Sequence, residues 1–118
     1  MARATLSDIT PFIPAGADLA KELAFYREAL GFEEIWRDGG HAGIRRDGAN
    51  FVLVQNDVRA WADNASFSIA VSDLDALYQE YRDVSARVGP LEMKLWGRRE
   101  FHMIAPSGVC LHFYQRQS

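Results

Sequence analysis

The chain of 118 residues has the length of one small domain, with 48% hydrophobic residues for a core and a net charge of −3. It carries no basic stripe of the kind that binds nucleic acid, and no apolar run approaches the roughly 20 residues that cross a bilayer. A single cysteine, Cys110, excludes an internal disulfide and any metal site built on several thiolates. The first residues, MARATLSDITPF, lack the uninterrupted apolar stretch of a signal peptide, so we expect a cytoplasmic protein.

The first half of the chain reads as a strand, a helix and three further strands. An apolar strand at Thr10 to Ile13 precedes a helix that opens at Ala17 or Asp18 and ends before Gly31. Apolar residues recur in it at helical spacing, at Leu19, Leu23, Tyr26 and Leu30. The three strands are separated by Gly-containing turns and span residues 32–37, 41–46 and 50–55.

The second half repeats this order. A polar loop at residues 57–64 carries Trp61, and a strand at Ser66 to Val71 leads to a helix that opens at Ser72 or Asp73. Three strands follow at about 87–95, 99–104 and 109–115. We therefore predict a single α+β domain over 1–118, with βαβββ repeats at about 5–56 and 65–115. Its curved, antiparallel-rich sheets would surround a trough, with the helices outside.

Several motifs resemble those of the vicinal oxygen chelate superfamily, which includes glyoxalases, bleomycin-resistance proteins and ring-cleaving dioxygenases. They are Asp18-Leu19-x6-Tyr26, Leu30-Gly31-Phe32 and the stretch WGRREF…APSGVCLHF from Trp96 to Phe113. The likeness runs from about Thr10 to Tyr114 and is greatest to the bleomycin-resistance proteins. It implies a homodimer, often with an exchanged first strand, that binds two drug molecules in grooves between the subunits.

The resemblance also implies where a catalytic metal would be held. Enzymes of the superfamily bind a divalent metal through His and Glu/Asp side chains at four positions. Here those positions fall on Thr10-Pro11-Phe12, Val52-Leu53-Val54, the neighbourhood of Phe67, and His112. Only His112 offers a usable donor, so we expect no metal and no cofactor, with His112 the one candidate ligand. A two-histidine site formed by His102 and His112 on neighbouring strands stays open as an alternative.

No other pattern supports catalysis, and we predict no catalytic residue. Asp38-Gly39-Gly40 is a hairpin turn, not a phosphate loop between a strand and a helix. Cys110 lies on an apolar strand and is interpreted as a packing residue. Glu33 and Glu34 are adjacent on a strand, so they face opposite sides and cannot act together on one bond.

Aromatic residues give the positive signal. Trp36, Trp61 and Trp96 lie at the predicted trough edges, where ring stacking on a flat ligand contributes about 0.5–1.5 kcal/mol per contact. A cationic ligand would also gain from cation–π attraction and from the acidic residues Glu33, Glu34 and Asp38. By resemblance, the stacking positions fall on Trp36, Trp96, His41 and the neighbourhood of Phe67-Ser68. The predicted ligand-contacting residues are Trp36, His41, Trp61, Phe67, Ser68, Trp96 and Phe101.

We therefore expect a non-catalytic homodimer that sequesters a small, flat, cationic organic molecule of the bleomycin type. We expect neither a nucleic-acid nor a membrane partner. Two alternatives remain: a metal-dependent enzyme of the glyoxalase or dioxygenase type, which needs ligands besides His112, and an accessory module that binds a metabolite. Elemental analysis of the purified protein distinguishes the metal-dependent enzyme from the drug-binding protein. Survival of bleomycin-treated cells that express the protein distinguishes drug binding from metabolite binding.

Overall fold

The computed structural model describes residues 2–84 and 87–116; the remaining positions, which the predicted domain span includes, lie outside the described residues. Two four-stranded sheets form its framework. The first contains β1 (Phe12–Pro14), β2 (Glu33–Asp38), β3 (His41–Arg46) and β4 (Ala49–Val54), in the order β1-β4-β3-β2. The second contains β5 (Ser66–Val71), β6 (Glu92–Met93), β7 (Arg99–Ile104) and β8 (Cys110–Gln115), in the equivalent order β5-β8-β7-β6. The predicted α+β fold of two βαβββ repeats is confirmed.

Both sheets are mixed. β1 runs parallel to β4, and β5 runs parallel to β8. In each repeat the helix returns the chain to the end of the sheet where the first strand began, and the three strands that follow alternate in direction, so the last one runs in the same direction as the first. The other pairs, β2–β3, β3–β4, β6–β7 and β7–β8, are antiparallel. The antiparallel-rich prediction holds, with one parallel pair in each repeat.

Each repeat contributes one main helix. α1 (Leu19–Ala24) begins at Asp18, whose carboxylate accepts from the backbone N–H of Lys21 at 3.0 Å. It continues into a π-helical turn, Phe25–Ala29, and the chain leaves it through Gly31, whose φ of +78° disfavours any residue with a Cβ. A shorter helix, α2 (Arg59–Asp63), joins the repeats. α3 (Leu74–Tyr81) begins at Asp73, which caps the N–H of Ala76 at 3.1 Å.

Alternate strand residues separate the core from the opposite face of each sheet. In β8, Leu111 and Phe113 are buried toward α3, where Phe113 packs on Tyr81. His112, between them, points to the other face. We call this other face, in both sheets, the trough face. The core extends across both repeats, since the ring centroids of Phe51 and Phe67 are 4.8 Å apart.

Polar contacts also join the repeats. Arg46, on β3, donates to the carboxylate of Glu80 on α3 at 2.8 Å, to the hydroxyl of Tyr81 at 2.7 Å and to the carbonyl of Leu30 at 2.8 Å. The Tyr81 hydroxyl donates to the same carbonyl at 2.6 Å. This cluster therefore ties the end of the first helical segment to α3.

Three expectations need correction. The first strand is Phe12–Pro14, because Thr10 and Pro11 precede the register that begins with Phe12 opposite Val52. The predicted polar loop contains α2, where the carbonyl of Ala60 accepts from the N–H and the side-chain amide of Asn64. The predicted strand 87–95 shortens to Glu92–Met93, with an isolated bridge from Val88 to Met103. None of the helices in the described part of the chain is long and apolar enough to cross a membrane.

Candidate ligand-binding site

A buried carboxylate organises the trough face of the second sheet. Glu100, on β7, is 0% exposed. Its Oε2 accepts from Arg98 Nε at 2.7 Å and from Trp96 Nε1 at 3.2 Å, and its Oε1 lies 2.6 Å from His102 Nε2. Burial alone would raise the pKa of Glu100, but the hydrogen bonds from His102, Arg98 and Trp96 outweigh it and lower the pKa to about 2. The carboxylate is therefore charged and fixes three side chains at once.

A stack of rings lies beside this carboxylate. β7 and β8 pair His102 with His112, and the two imidazoles stack at 3.8 Å between centroids and 11° between planes. Trp96 lies nearly parallel to His102, at 6.4 Å and 13°. Because a carboxylate only accepts, His102 Nε2 carries a hydrogen in this contact. Burial and the neighbouring His102 lower the pKa of His112, which keeps its ring neutral near pH 7.

Arg98 links the stack to the parallel strand β5. Its guanidinium lies 3.9 Å above the ring of Tyr114, and Nη2 donates to the Ser68 hydroxyl at 3.1 Å. Trp96 and Ser68, both predicted from the sequence, are thus brought together through Arg98 and Glu100. The indole of Trp96 remains 61% exposed, so one face is open to a ligand.

Cys110 lies on the same face, two residues before His112 on β8. Burial and the negative charge of Glu100 raise the pKa of its thiol. One ligand atom from each of His102, Cys110 and His112 lies within 4.8 Å of the others. The strand register thus places two further potential donors, His102 and Cys110, beside His112, which the sequence analysis took as the one candidate metal ligand.

The trough face of the first sheet holds a second aromatic platform. Trp36, on β2, lies directly over Gly43 of β3, so that a Cβ added at Gly43 would overlap Trp36 Nε1. His41 contacts Phe12 edge-on at 6.1 Å between centroids. Trp36 is 44% exposed and Phe12 is 61% exposed. The structure therefore places Trp36 and His41 on one sheet and Trp96 and Ser68 on the other.

The remaining predicted residues lie elsewhere. Phe101 is fully buried against Tyr78 and Phe113, on the helix side of β7, and cannot reach a ligand in the trough. Phe67 faces the same side and packs on Phe51. Trp61 lies on α2 and is 38% exposed. We leave Phe101 and Phe67 out of the candidate site for this reason.

The acidic residues expected to attract a cation are engaged in part. Glu34 accepts from Arg37 at 2.7 Å, and Glu33 lies 3.7 Å from Arg45. These two carboxylates therefore already face arginines of their own sheet.

The four positions that the resemblance assigns to a catalytic metal do not fit one. Phe12 pairs with Val52 in the register of β1 and β4, and Phe67 packs into the core. Neither a phenylalanine nor a valine side chain offers a donor, which leaves His112 alone of that set. The residues present therefore do not form the metal site of the superfamily's enzymes.

A groove of about 720 Å³ opens on another side of the molecule, between the β3–β4 turn, β5 and α3. Of the predicted residues, only Ser68 borders it. Its wall is formed in part by Arg46 and Glu80, which are already paired with each other at 2.8 Å. We therefore place the candidate site on the trough face, where aromatic rings are exposed.

Glu100, Arg98 and Tyr114 were missed by the sequence interpretation. A signal for one of them was present, because Glu100 and His102 are two residues apart on one predicted strand and so share a face. The contact of Arg98 with Tyr114 depends on the pairing of β7 with β8, which spacing alone does not provide.

Comparison with known proteins agrees with this architecture. Residues 13–113 match the family model of the Glyoxalase/Bleomycin resistance protein/Dioxygenase superfamily. The chain is 25% identical to the bleomycin resistance protein of Geobacillus stearothermophilus over 125 aligned positions, which cover 90% of this chain and 94% of that protein. The bleomycin resistance protein of Staphylococcus aureus gives the same figures.

Two solved structures extend the likeness to three dimensions. The bleomycin-binding protein of bleomycin-producing Streptomyces verticillus, complexed with copper(II)-bleomycin, matches with a TM-score of 0.86 at 28% identity over 98% of this chain and 100% of that one. A further bleomycin-binding protein, complexed with bleomycin, matches with a TM-score of 0.84 at 24% identity over 95% of this chain and 100% of that one. The second likeness concerns the fold alone.

Proposed function

Because the chain belongs to the glyoxalase/bleomycin resistance protein/dioxygenase superfamily, we propose that it binds a flat aromatic antibiotic of the bleomycin type without transforming it. The observation that carries the proposal is the stack of Trp96, His102 and His112, anchored by the buried Glu100 and open to solvent at Trp96. Its relatives are bleomycin-binding and bleomycin-resistance proteins. Rings held at a fixed angle bind a flat molecule at a low entropy cost, because they are already ordered.

The proposal includes a homodimer. Large apolar side chains are exposed on or beside both trough faces, which is typical of a surface that contacts a partner or a ligand. They are Phe12, Trp36, Leu95 and Trp96. A dimer that sets the Trp36 platform of one chain opposite the Trp96 stack of the other would enclose a ligand between two sets of rings.

The cationic character of the ligand is a separate part of the proposal. Its support is the acidic end of β2, where Asp38 lies opposite His41 in the register. The pairing of Glu33 and Glu34 with arginines leaves less free negative charge than the sequence suggested. Charged and neutral flat antibiotics can be compared directly in the same binding experiment.

Isothermal titration calorimetry of the protein with metal-free and with copper(II)-loaded bleomycin tests the function. We expect saturable binding of about one drug per chain. Affinity should fall when the protein is diluted below the dissociation constant of the dimer. Trp96→Ala should weaken binding, and the matched variant Trp61→Ala, on α2, should weaken it less. An absence of binding heat at high micromolar drug, with the protein folded and dimeric, would remove bleomycin as the ligand.

A further inference from the structure

We propose that His102, Cys110 and His112 form a binding site for a thiophilic d¹⁰ cation, Zn²⁺ or Cu⁺. One ligand atom from each side chain lies within 4.8 Å of the others. Cys110 and His112 are two residues apart on β8 and so share the trough face, while His102 faces His112 across the β7–β8 pair. The site is therefore built by the register of one hairpin.

The donor set selects the class of metal. One thiolate and two imidazoles suit Zn²⁺ and Cu⁺, whereas Mg²⁺ and Ca²⁺ require oxygen ligands. Three protein donors leave a fourth position for water or for a donor atom of a bound molecule. When the metal–sulfur bond forms, the Cys110 thiol releases its proton to solvent.

Glu100 orients one of the three ligands, His102, and places negative charge near a second, His112. Glu100 Oε1 lies 2.6 Å from His102 Nε2 and 3.7 Å from His112 Nδ1. A carboxylate that accepts from one ring nitrogen of a histidine leaves the other nitrogen to bind a metal and increases its basicity. The fixed negative charge of Glu100 also attracts a cation at short range. Because Nε2 of His102 contacts Glu100, Nδ1 is the nitrogen of that ring left to bind a metal.

The ligand atoms must approach one another when an ion enters. Tetrahedral coordination with bonds of about 2.0–2.3 Å requires ligand atoms about 3.5 Å apart. The imidazoles are stacked in the structure, so one ring must rotate out of the stack to direct its lone pair at a shared ion. The side chains of His102 and His112 are 27% and 24% exposed, which leaves room for this rotation.

This site differs from the one that the resemblance assigns to the superfamily's enzymes. That one takes ligands from both repeats, and of its positions only His112 is a donor here. The present site takes all three donors from β7 and β8 of the second repeat. The ion and the stack of His102 on His112 therefore use the same two side chains, and one imidazole leaves the stack when the ion binds.

Cobalt substitution tests the site without any drug. Reduced protein, freed of metal with a chelator, is titrated with Co²⁺ and followed in the near ultraviolet, where a thiolate–Co²⁺ bond gives a charge-transfer band. We expect one Co²⁺ to bind per chain and to be displaced by one Zn²⁺. A parallel titration with Cu⁺, in competition with a chromophoric Cu⁺ chelator, shows whether Cu⁺ or Zn²⁺ binds more tightly. Failure to develop the band at saturating Co²⁺ overturns the proposal.

Variants separate this site from chance binding. Cys110→Ser should abolish the band, and His102→Gln should weaken Zn²⁺ binding at least about tenfold. His41→Gln, which changes the third histidine of the chain on the other sheet, should bind as the unmodified protein does. Equal losses in the His41 and His102 variants contradict the assignment.

A stability measurement guards against misfolded variants. Circular dichroism of each metal-free variant confirms its fold, and Cys110→Ala replaces Cys110→Ser if the latter is unfolded. Zn²⁺ should raise the unfolding temperature of the unmodified protein, because it binds only the native state, and should leave that of the cysteine variant unchanged. An equal rise in both proteins contradicts a thiolate ligand.

Discussion

Glu100 is the residue on which the geometry of the candidate site depends most. A charged carboxylate without solvent contact is costly unless its oxygens are paired, and here Arg98, Trp96 and His102 pair them. The same contacts hold Trp96 and His102 nearly parallel. One buried group thus determines both the charge and the orientation of the ring platform.

Replacing this carboxylate by an amide tests that role. Glu100→Gln keeps the size of the side chain but removes its charge and replaces one carboxylate oxygen by an N–H₂ group, which cannot accept from whichever of Arg98 and His102 it faces. We expect the free energy of unfolding to fall by about 1.5–3 kcal/mol, the usual contribution of hydrogen bonds to charged groups, and the affinity for bleomycin to fall as well. Urea denaturation and calorimetry measure the two effects.

Glu92→Gln is the matched control for this substitution. Glu92 pairs with Lys94 at 2.8 Å, but its side chain is half exposed, so its loss should cost less than about 1 kcal/mol. If the Glu100 variant is no less stable than the Glu92 variant, the carboxylate does not have the structural role described.

The sequence indicated candidate trough residues most directly where a large aromatic side chain lies on or beside a predicted strand. Trp36 and Trp96 were expected at the trough edges, whereas His41 and Ser68 were carried over from the family resemblance alone. A charged residue directly after Gly97 is typical of a solvated turn, so the sequence gives no sign that Arg98 pairs with Glu100. The burial of Glu100 depends on contacts from the neighbouring strand and turn, which a linear pattern does not contain.

At the scale of elements, local signals and long-range pairing contributed differently. Asp18 and Asp73 cap the two main helices at the predicted residues, since N-capping is a local interaction. The π-helical turn at Phe25–Ala29 was not predicted, because one extra residue in a turn barely alters the apolar spacing. β6 is short because its ladder with β7 covers Glu92 and Met93, while the bridge from Val88 to Met103 stands apart from it. No local propensity determines this interruption.

The β2–β3 pair provides a test of the first aromatic platform. Gly43 supports the indole of Trp36, and a β-bulge between Glu34 and Trp36 shifts the register at this point. Gly43→Ala introduces a methyl group where Trp36 Nε1 now lies, so the ring must move. We expect a changed near-ultraviolet circular dichroism spectrum and a loss of about 0.5–1.5 kcal/mol in bleomycin binding, the contribution of one aromatic contact.

Stability should not decrease in this variant. A strand glycine gains conformational stability on replacement by alanine, by up to about 1 kcal/mol, and this offsets the cost of moving an exposed ring. Gly48→Ala is the control, since no atom lies within 4 Å of a Cβ built there. A Gly43 variant whose spectrum and affinity match those of the Gly48 variant would show that Trp36 takes no part in binding.

At the scale of the whole molecule, a second buried carboxylate connects the repeats. Glu22, on α1, is 1% exposed and accepts from the backbone N–H of Ser107 at 2.9 Å and from its hydroxyl at 2.5 Å. Ser107 lies in the β7–β8 turn of the other repeat. Burial raises the pKa of Glu22 to about 7, against the lowering effects of Ser107 and Lys21. The nearby Tyr26 hydroxyl is buried, and burial together with the charge of Glu22 raises its pKa as well.

This raised pKa predicts how stability depends on pH. A carboxyl that is more easily protonated in the folded than in the unfolded chain stabilises the fold below pH 4.5, and this stabilisation is lost as pH rises to about 7. Glu22→Gln resembles the protonated acid and removes the dependence. We expect the free energy of unfolding of the variant, relative to that of the unmodified protein, to rise by up to about 3 kcal/mol between pH 4.5 and pH 8, at about 1.4 kcal/mol per pKa unit. Urea denaturation across that range measures the difference, with Glu28→Gln, an exposed position in the same helical segment, as the control. A constant difference between the Glu22 variant and the unmodified protein at all pH values would mean that Glu22 titrates alike in the folded and unfolded chain.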